Sequence, residues 1–157
     1  MEKKYGLGVF EKYLTLWVAA CIIAGIAIGK YLPAFPAALD KLEYAIGRVD
    51  ADVLAHFDYG FRLFDVTVEE LKAYEPQLRR IFQKMIDHDL AFELNSKSMY
   101  LYDHEHLYLY ALGLVKKLGC HKYSIGSDGH KLEHFRLQFD RIQQILDEFG
   151  IGEGEII

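Results

Sequence analysis

The sequence predicts an α/β fold of about three strand–helix units, preceded by one hydrophobic helix. Three observations carry this. Apolar strand candidates alternate with amphipathic helical stretches from Asp52 onward. Candidate ligand residues recur at the carboxy end of each strand. From Tyr13 to Leu39 the only charge is Lys30, whereas charges are dense from Asp40 on. The chain thus divides into a hydrophobic segment, residues 1–36, and a soluble domain, residues 37–157.

Tyr13 to Gly29 is an uncharged run bracketed by Lys12 and Lys30. Extended through Leu32, it reaches the roughly 20 residues that a membrane-spanning helix needs. Tyr13 and Trp17 near one end, and Tyr31 near the other, suit the interfacial belts. Pro33 and Pro36 then stop the helix. A buried core helix or a cleaved leader are the rival readings, but the run continues well past Val18-Ala19-Ala20-Cys21. Gly25 and Gly29 give one G-x-x-x-G face for another helix. Membrane anchoring through residues 13–32 is expected, with the soluble part in the cytoplasm.

From Ala37 onward there are 14 basic and 21 acidic residues, a net −7 with histidines neutral. An acidic body gives no electrostatic reason to expect nucleic acid. Cys21 and Cys120 lie in different contexts, so no disulfide framework is expected.

Within the soluble part, Asp40 to Arg48 reads as a helix and Asp52 to His56 as the first strand. Thr67 to Asp89 reads as helix, opened by a capping box between Thr67 and Glu70 and broken near Pro76. Leu71, Tyr74, Leu78, Ile81, Phe82 and Met85 share its inner face. Leu90 to Asn95 is the second strand, and Glu105 to Leu118 the next helix, closed by Gly119. Lys122 to Gly126 is the third strand. Leu132 to Phe149 reads as one long amphipathic helix with Leu132, Phe135, Phe139, Ile142, Leu146 and Phe149 inward, ended by Gly150.

Chemistry collects at the strand ends: His56, then Glu93 with Asn95, then Asp128 with His130. In parallel α/β architectures the loops converge there. Taken singly, a histidine can be a core hydrogen-bonding group, Glu93 a solvated strand residue, and Asp128 a helix cap. Their periodic placement favours a site. Histidine and carboxylate donors suit Zn, Mn or Fe. His104-x-His106 precedes a helix among tyrosines and reads as packing.

Two resemblances follow. Gly6 to Pro33, through E-K-Y-L-T-L-W and G-K-Y-L-P, resembles the first transmembrane segment of arsenite-efflux permeases. One segment cannot enclose a pathway, so arsenite transport by this chain is not expected. D-V-L-A-H-F-D-Y (Asp52–Tyr59), F-E-L-N-S (Phe92–Ser96) and S-I-G-S-D-G-H (Ser124–His130) resemble late motifs of the polymerase-and-histidinol-phosphatase (PHP) family. The likeness is to its histidinol-phosphatase branch, over about residues 39–150.

That resemblance implies a partial PHP-type (β/α) barrel, with His56, Asp128 and His130 as metal ligands. It implies Arg62, Glu93, Asn95 and Ser96 on the substrate side, Arg62 gripping phosphate through its guanidinium fork. The implied reaction is metal-assisted hydrolysis of a small phosphorylated substrate such as histidinol phosphate. No catalytic residue is singled out. The family's opening H-x-H strand and further early ligands are absent before His56, and Gly129 replaces an alanine. The chain then reads as a fragment joined to a membrane anchor, weak or inactive alone. Oligomerisation or a complementing chain would complete it. The alternative is a membrane-anchored, non-catalytic interaction or remnant fusion protein.

Overall fold

The computed structural model describes Val18, Ile22 and residues 34–62 and 65–157. The chain divides into two units, Met1–Pro33 and Ala34–Ile157. The expected membrane span at residues 13–32 lies, apart from Val18 and Ile22, outside the described residues. Among the described residues no helix is long and apolar enough to cross a membrane.

The second unit opens with α1 (Ala34–Ala45), after which Gly47 turns the chain at φ 79°. Strand β1 (Val53–Leu54) follows, then a 3-10 turn at Tyr59–Phe61. Helix α2 (Val68–Ala73) begins with the expected capping box. Thr67 Oγ1 accepts from the Glu70 N–H at 3.2 Å, and Glu70 Oε2 accepts from the Thr67 N–H at 2.9 Å. The break expected near Pro76 occurs at Tyr74, and α3 (Glu75–Asp87) starts with Pro76 in its first turn, where no N–H is needed. Leu78, Ile81, Phe82 and Met85 are buried along its inner face.

Strand β2 (Ala91–Asn95) runs directly into a short helix, α4 (Ser96–Leu101), which sequence reading missed. Asn95 is its N-cap, its side chain accepting from the Ser98 N–H at 3.0 Å. Helix α5 (Glu105–Lys117) ends before Gly119 at φ 92°, and β3 (Tyr123–Gly126) follows. The three strands are parallel, in the order β1-β2-β3. Leu54 is in register with Phe92, and Phe92 with Tyr123. On its other side Tyr123 bridges to Ile156 near the chain end.

The expectation of α/β structure with three strand–helix units holds. The described strands form a small open sheet, not a barrel. The long helix over Leu132–Phe149 is corrected. A 3-10 turn at Leu132–His134 comes first, and α6 covers only Phe139–Glu148. Arg136 and Gln138 adopt φ 59° and 53°, which no right-handed helix can continue through. Leu132 and Phe135, expected inward, are therefore 89% and 59% exposed, while Ile142 and Leu146 are buried.

Aromatic rings set the core beneath the strand ends. The Phe57 ring meets that of Tyr108 edge-on at 4.8 Å and lies 5.6 Å from that of Phe92. Phe82 packs edge-on against Phe92 at 5.7 Å. Such tilted pairs add roughly 0.5–1.5 kcal/mol each beyond area burial. They anchor the Phe57 backbone, and with it the loop carrying His56 and Asp58.

Candidate functional site

The parallel strands bring their carboxy ends to one place. Just past β1 and β3, His56 and Asp128 adopt left-handed backbones, φ 51° and 46°. Non-glycine residues pay strain there unless the surroundings hold them. At His56 the hold is visible: its N–H donates to Glu93 Oε2 at 3.0 Å, tying the end of β1 to β2. Asn95 Nδ2 donates to the same oxygen at 3.4 Å. Gly126 makes room for this carboxylate, because a Cβ there would collide with Glu93 Oε1.

Beneath these lies a wholly buried carboxylate, Asp58. Its Oδ1 accepts from Tyr108 Oη at 2.8 Å and Ser98 Oγ at 3.2 Å. Its Oδ2 lies 2.8 Å from His104 Nδ1 and accepts from Arg62 Nε at 3.4 Å. A buried charge persists only when its lone pairs are matched this completely. Burial, then the nearby Asp58 charge, pushes the Tyr108 phenol well above its ordinary range, so it remains a donor.

Arg62 carries the order outward. Its Nη2 donates to Ser98 Oγ at 2.5 Å and lies 2.7 Å from His56 Nδ1. Arginine has no acceptor, so His56 Nδ1 accepts and any ring proton sits on Nε2. The remaining fork, Nη1, lies 3.6 Å from Asp128 Oδ2. Lys97 Nζ donates to that same oxygen at 3.1 Å. Burial acts to raise the Asp128 pKa. The hydrogen bond and charge of Lys97, then the influence of His56 and Arg62, outweigh it and hold the carboxyl below the usual aspartate value. The rings of Tyr59 and Tyr102 each lie 5.3 Å from the guanidinium carbon.

The strand-end arrangement thus brings together His56, Arg62, Glu93, Asn95 and Asp128. Ser96 is buried just behind, its hydroxyl without a hydrogen-bond partner among the described residues. His130 is 75% exposed on the rim, Nε2 3.3 Å from Asp128 Oδ1. Among the described residues no three His, Cys, Asp or Glu side chains are grouped to hold a metal ion. His56 Nδ1 is engaged by Arg62, and Asp128 Oδ2 by Lys97 and Arg62.

Sequence reading missed Asp58, Lys97, Ser98, His104 and Tyr108. One local signal was available: Asp58 and Arg62 have the i,i+4 spacing of an ion pair. His104 is buried, as a packing role implies, yet its ring bonds Asp58. His106 Nε2 lies 3.1 Å from the Val66 carbonyl oxygen.

Fold and site define a small parallel α/β unit with a cluster of opposite charges at the carboxy ends of its strands. No family model matches the chain, and no solved structure matches it. Over 49 residues, 31% of the chain, it is 65% identical to the arsenical-resistance protein Acr3 of Alkaliphilus metalliredigens. Over 35 residues, 22% of the chain, it is 68% identical to an uncharacterized transporter of Synechocystis. The chain spans 14% of the first relative and 9% of the second.

These findings overturn the likeness to the PHP family. With it go histidinol-phosphatase activity, the hydrolase class and a part in histidine biosynthesis, because no such family matches and the relatives point to transport. The motifs that carried the likeness are five- to eight-residue stretches at strand ends, which α/β sites of different function can share. The likeness to arsenite-efflux permeases agrees with the first relative's description. A transporter relative also fits a membrane association.

Proposed function

We propose that the chain serves a membrane transport system, its 34–157 unit binding a small tetrahedral oxyanion of the phosphate or arsenate kind. The observation that carries this reading is the seat of Asp128. One carboxylate oxygen lies 3.1 Å from Lys97 Nζ and 3.6 Å from Arg62 Nη1, where an anion's oxygen would be received. Asp128 is the chain's own stand-in for that anion, held on a left-handed backbone from which release relieves strain.

Charge bookkeeping supports displacement rather than addition. With Asp128 swung out, Arg62 and Lys97 are balanced by Asp58 and Glu93, leaving a neutral site of forked donors. An oxyanion entering it takes the two cations that Asp128 leaves. Arg62 is fixed from behind by Asp58 and Ser98, so little freedom is lost on binding. No bond is made or broken; the unit binds and reports.

The relatives support the transport setting, and the name of the first ties it to arsenicals. In this reading residues 13–32 hold the chain in the membrane and the 34–157 unit samples anion in the cytoplasm. The test is calorimetric titration of the full chain, held in amphipol, with phosphate and arsenate. Saturable binding of one anion per chain is expected, weakened at least about tenfold in Lys97→Met and in Arg62→Gln. No binding of either anion, or binding indifferent to both substitutions, overturns the reading.

A further inference from the structure

Against the charged cluster lies a cavity of about 540 Å³. Its walls are mainly apolar: Ala38, Leu39 and Leu42 of α1 on one side, Phe57 and Gly60 on the other. The volume is in the range of small-molecule sites, roughly 300–1,000 Å³. A bare oxyanion leaves it unused. Two residues belong to both cavity and cluster. His56 lines the cavity while its Nδ1 meets Arg62 at 2.7 Å, and Tyr59 lines it while its ring lies 5.3 Å from the Arg62 guanidinium. A second cation, Lys41, lies on the wall.

Resting on the oxyanion reading above, we infer that the ligand is an anionic amphiphile, a monomeric alkyl phosphate or its like. Its head takes the place of Asp128 at Arg62 and Lys97, and its alkyl body fills the cavity past His56 and Tyr59. Charge complementarity fixes the head, and the mainly apolar walls receive the alkyl body. Gly60 is close against α1, where a Cβ would collide with the Ala38 side chain, so the turn and the helix meet there and close one side of the cavity.

The experiment titrates the full chain, in amphipol, with inorganic phosphate and with ethyl, butyl and hexyl phosphate, all below micelle-forming concentrations. Burying each methylene is expected to tighten binding about fourfold, roughly 200-fold from ethyl to hexyl. Ala37→Trp, at an exposed position of α1 on the cavity wall, is expected to abolish that chain-length gain and leave inorganic phosphate unchanged. Phosphate binding with no gain along the series overturns this inference and leaves the oxyanion reading intact. A gain that survives Ala37→Trp also overturns it. Failure of every phosphate, the inorganic ion included, overturns both.

Discussion

Asp58 and Arg62 stand four residues apart, and the wholly buried Asp58 carboxylate accepts from Arg62 Nε at 3.4 Å. The pair joins the core to the surface. Behind it Tyr108, Ser98 and His104 complete the carboxylate's shell, and in front the guanidinium fork faces His56 and Asp128. Removing Asp58 takes from the largely buried guanidinium its inner carboxylate, and removing Arg62 strips a charged donor from a wholly buried one. Asp58→Ala is therefore expected to destabilise the unit by about 3–5 kcal/mol, measured by urea unfolding followed by circular dichroism. Adding Arg62→Met should recover part of the loss, since the two effects are coupled.

Tyr108 bonds the same carboxylate through its hydroxyl alone, while its ring packs on Phe57. Tyr108→Phe keeps the ring and deletes one donor to a buried charge. A loss of about 1–3 kcal/mol is expected by the same unfolding measurement. A change below experimental error would mean that Asp58 does not depend on this donor.

Gly126 admits the Glu93 carboxylate, and Glu93 in turn holds the left-handed His56 backbone. Gly126→Ala should cost about 1–3 kcal/mol by overpacking. Combining it with Glu93→Ala should cost less than the sum of the two single changes, because the clash disappears with the carboxylate. Strict additivity in thermal unfolding would show that Gly126 has no part in seating Glu93.

Tyr110 donates to Glu75 Oε2 at 2.5 Å. Burial, then this bond to a carboxylate, raises its phenol from the ordinary 10.0 to about 12. A folded-state pKa above the unfolded value gives stability that is fully present below pH 10 and lost as pH rises through 12. Tyr110→Phe should flatten the fall in stability between those two values. Absorbance of the tyrosinates during an alkaline titration reads the ionisation, and circular dichroism the stability.

The legible parts of the fold were those with a repeating local signal. Helices α3 and α5 announce themselves by apolar spacing with a capping box before α2 and Gly119 at the far end. Helix α4 was hidden because Ser96 follows β2 without an intervening turn, and six residues give too little period to read. The segment Leu132–Gln138 was over-read because its spacing imitates a helix. Its backbone at Arg136 and Gln138 does not, and no glycine marks the turn.

The site divides in the same way. His56, Glu93, Asn95 and Asp128 were found because each lies near the carboxy end of a strand, and parallel strands end together. Lys97 reaches Asp128 across 31 positions, and Tyr108 reaches Asp58 across 50, so only the folded chain reveals those pairs. Short motifs at strand ends located the cluster but misjudged its family, because the chemistry of a site resides in partners that such motifs omit.

The most direct test is the phosphate affinity of the full chain carrying Asp128→Asn. If Asp128 is a displaceable stand-in for an anion, removing its charge while keeping its shape frees Arg62 and Lys97. Affinity should then rise, by roughly tenfold for about 1.4 kcal/mol of relieved competition. Loss of phosphate binding in Asp128→Asn, or binding restored only by added Mn or Zn, would contradict the account and make Asp128 a ligand-holding residue instead.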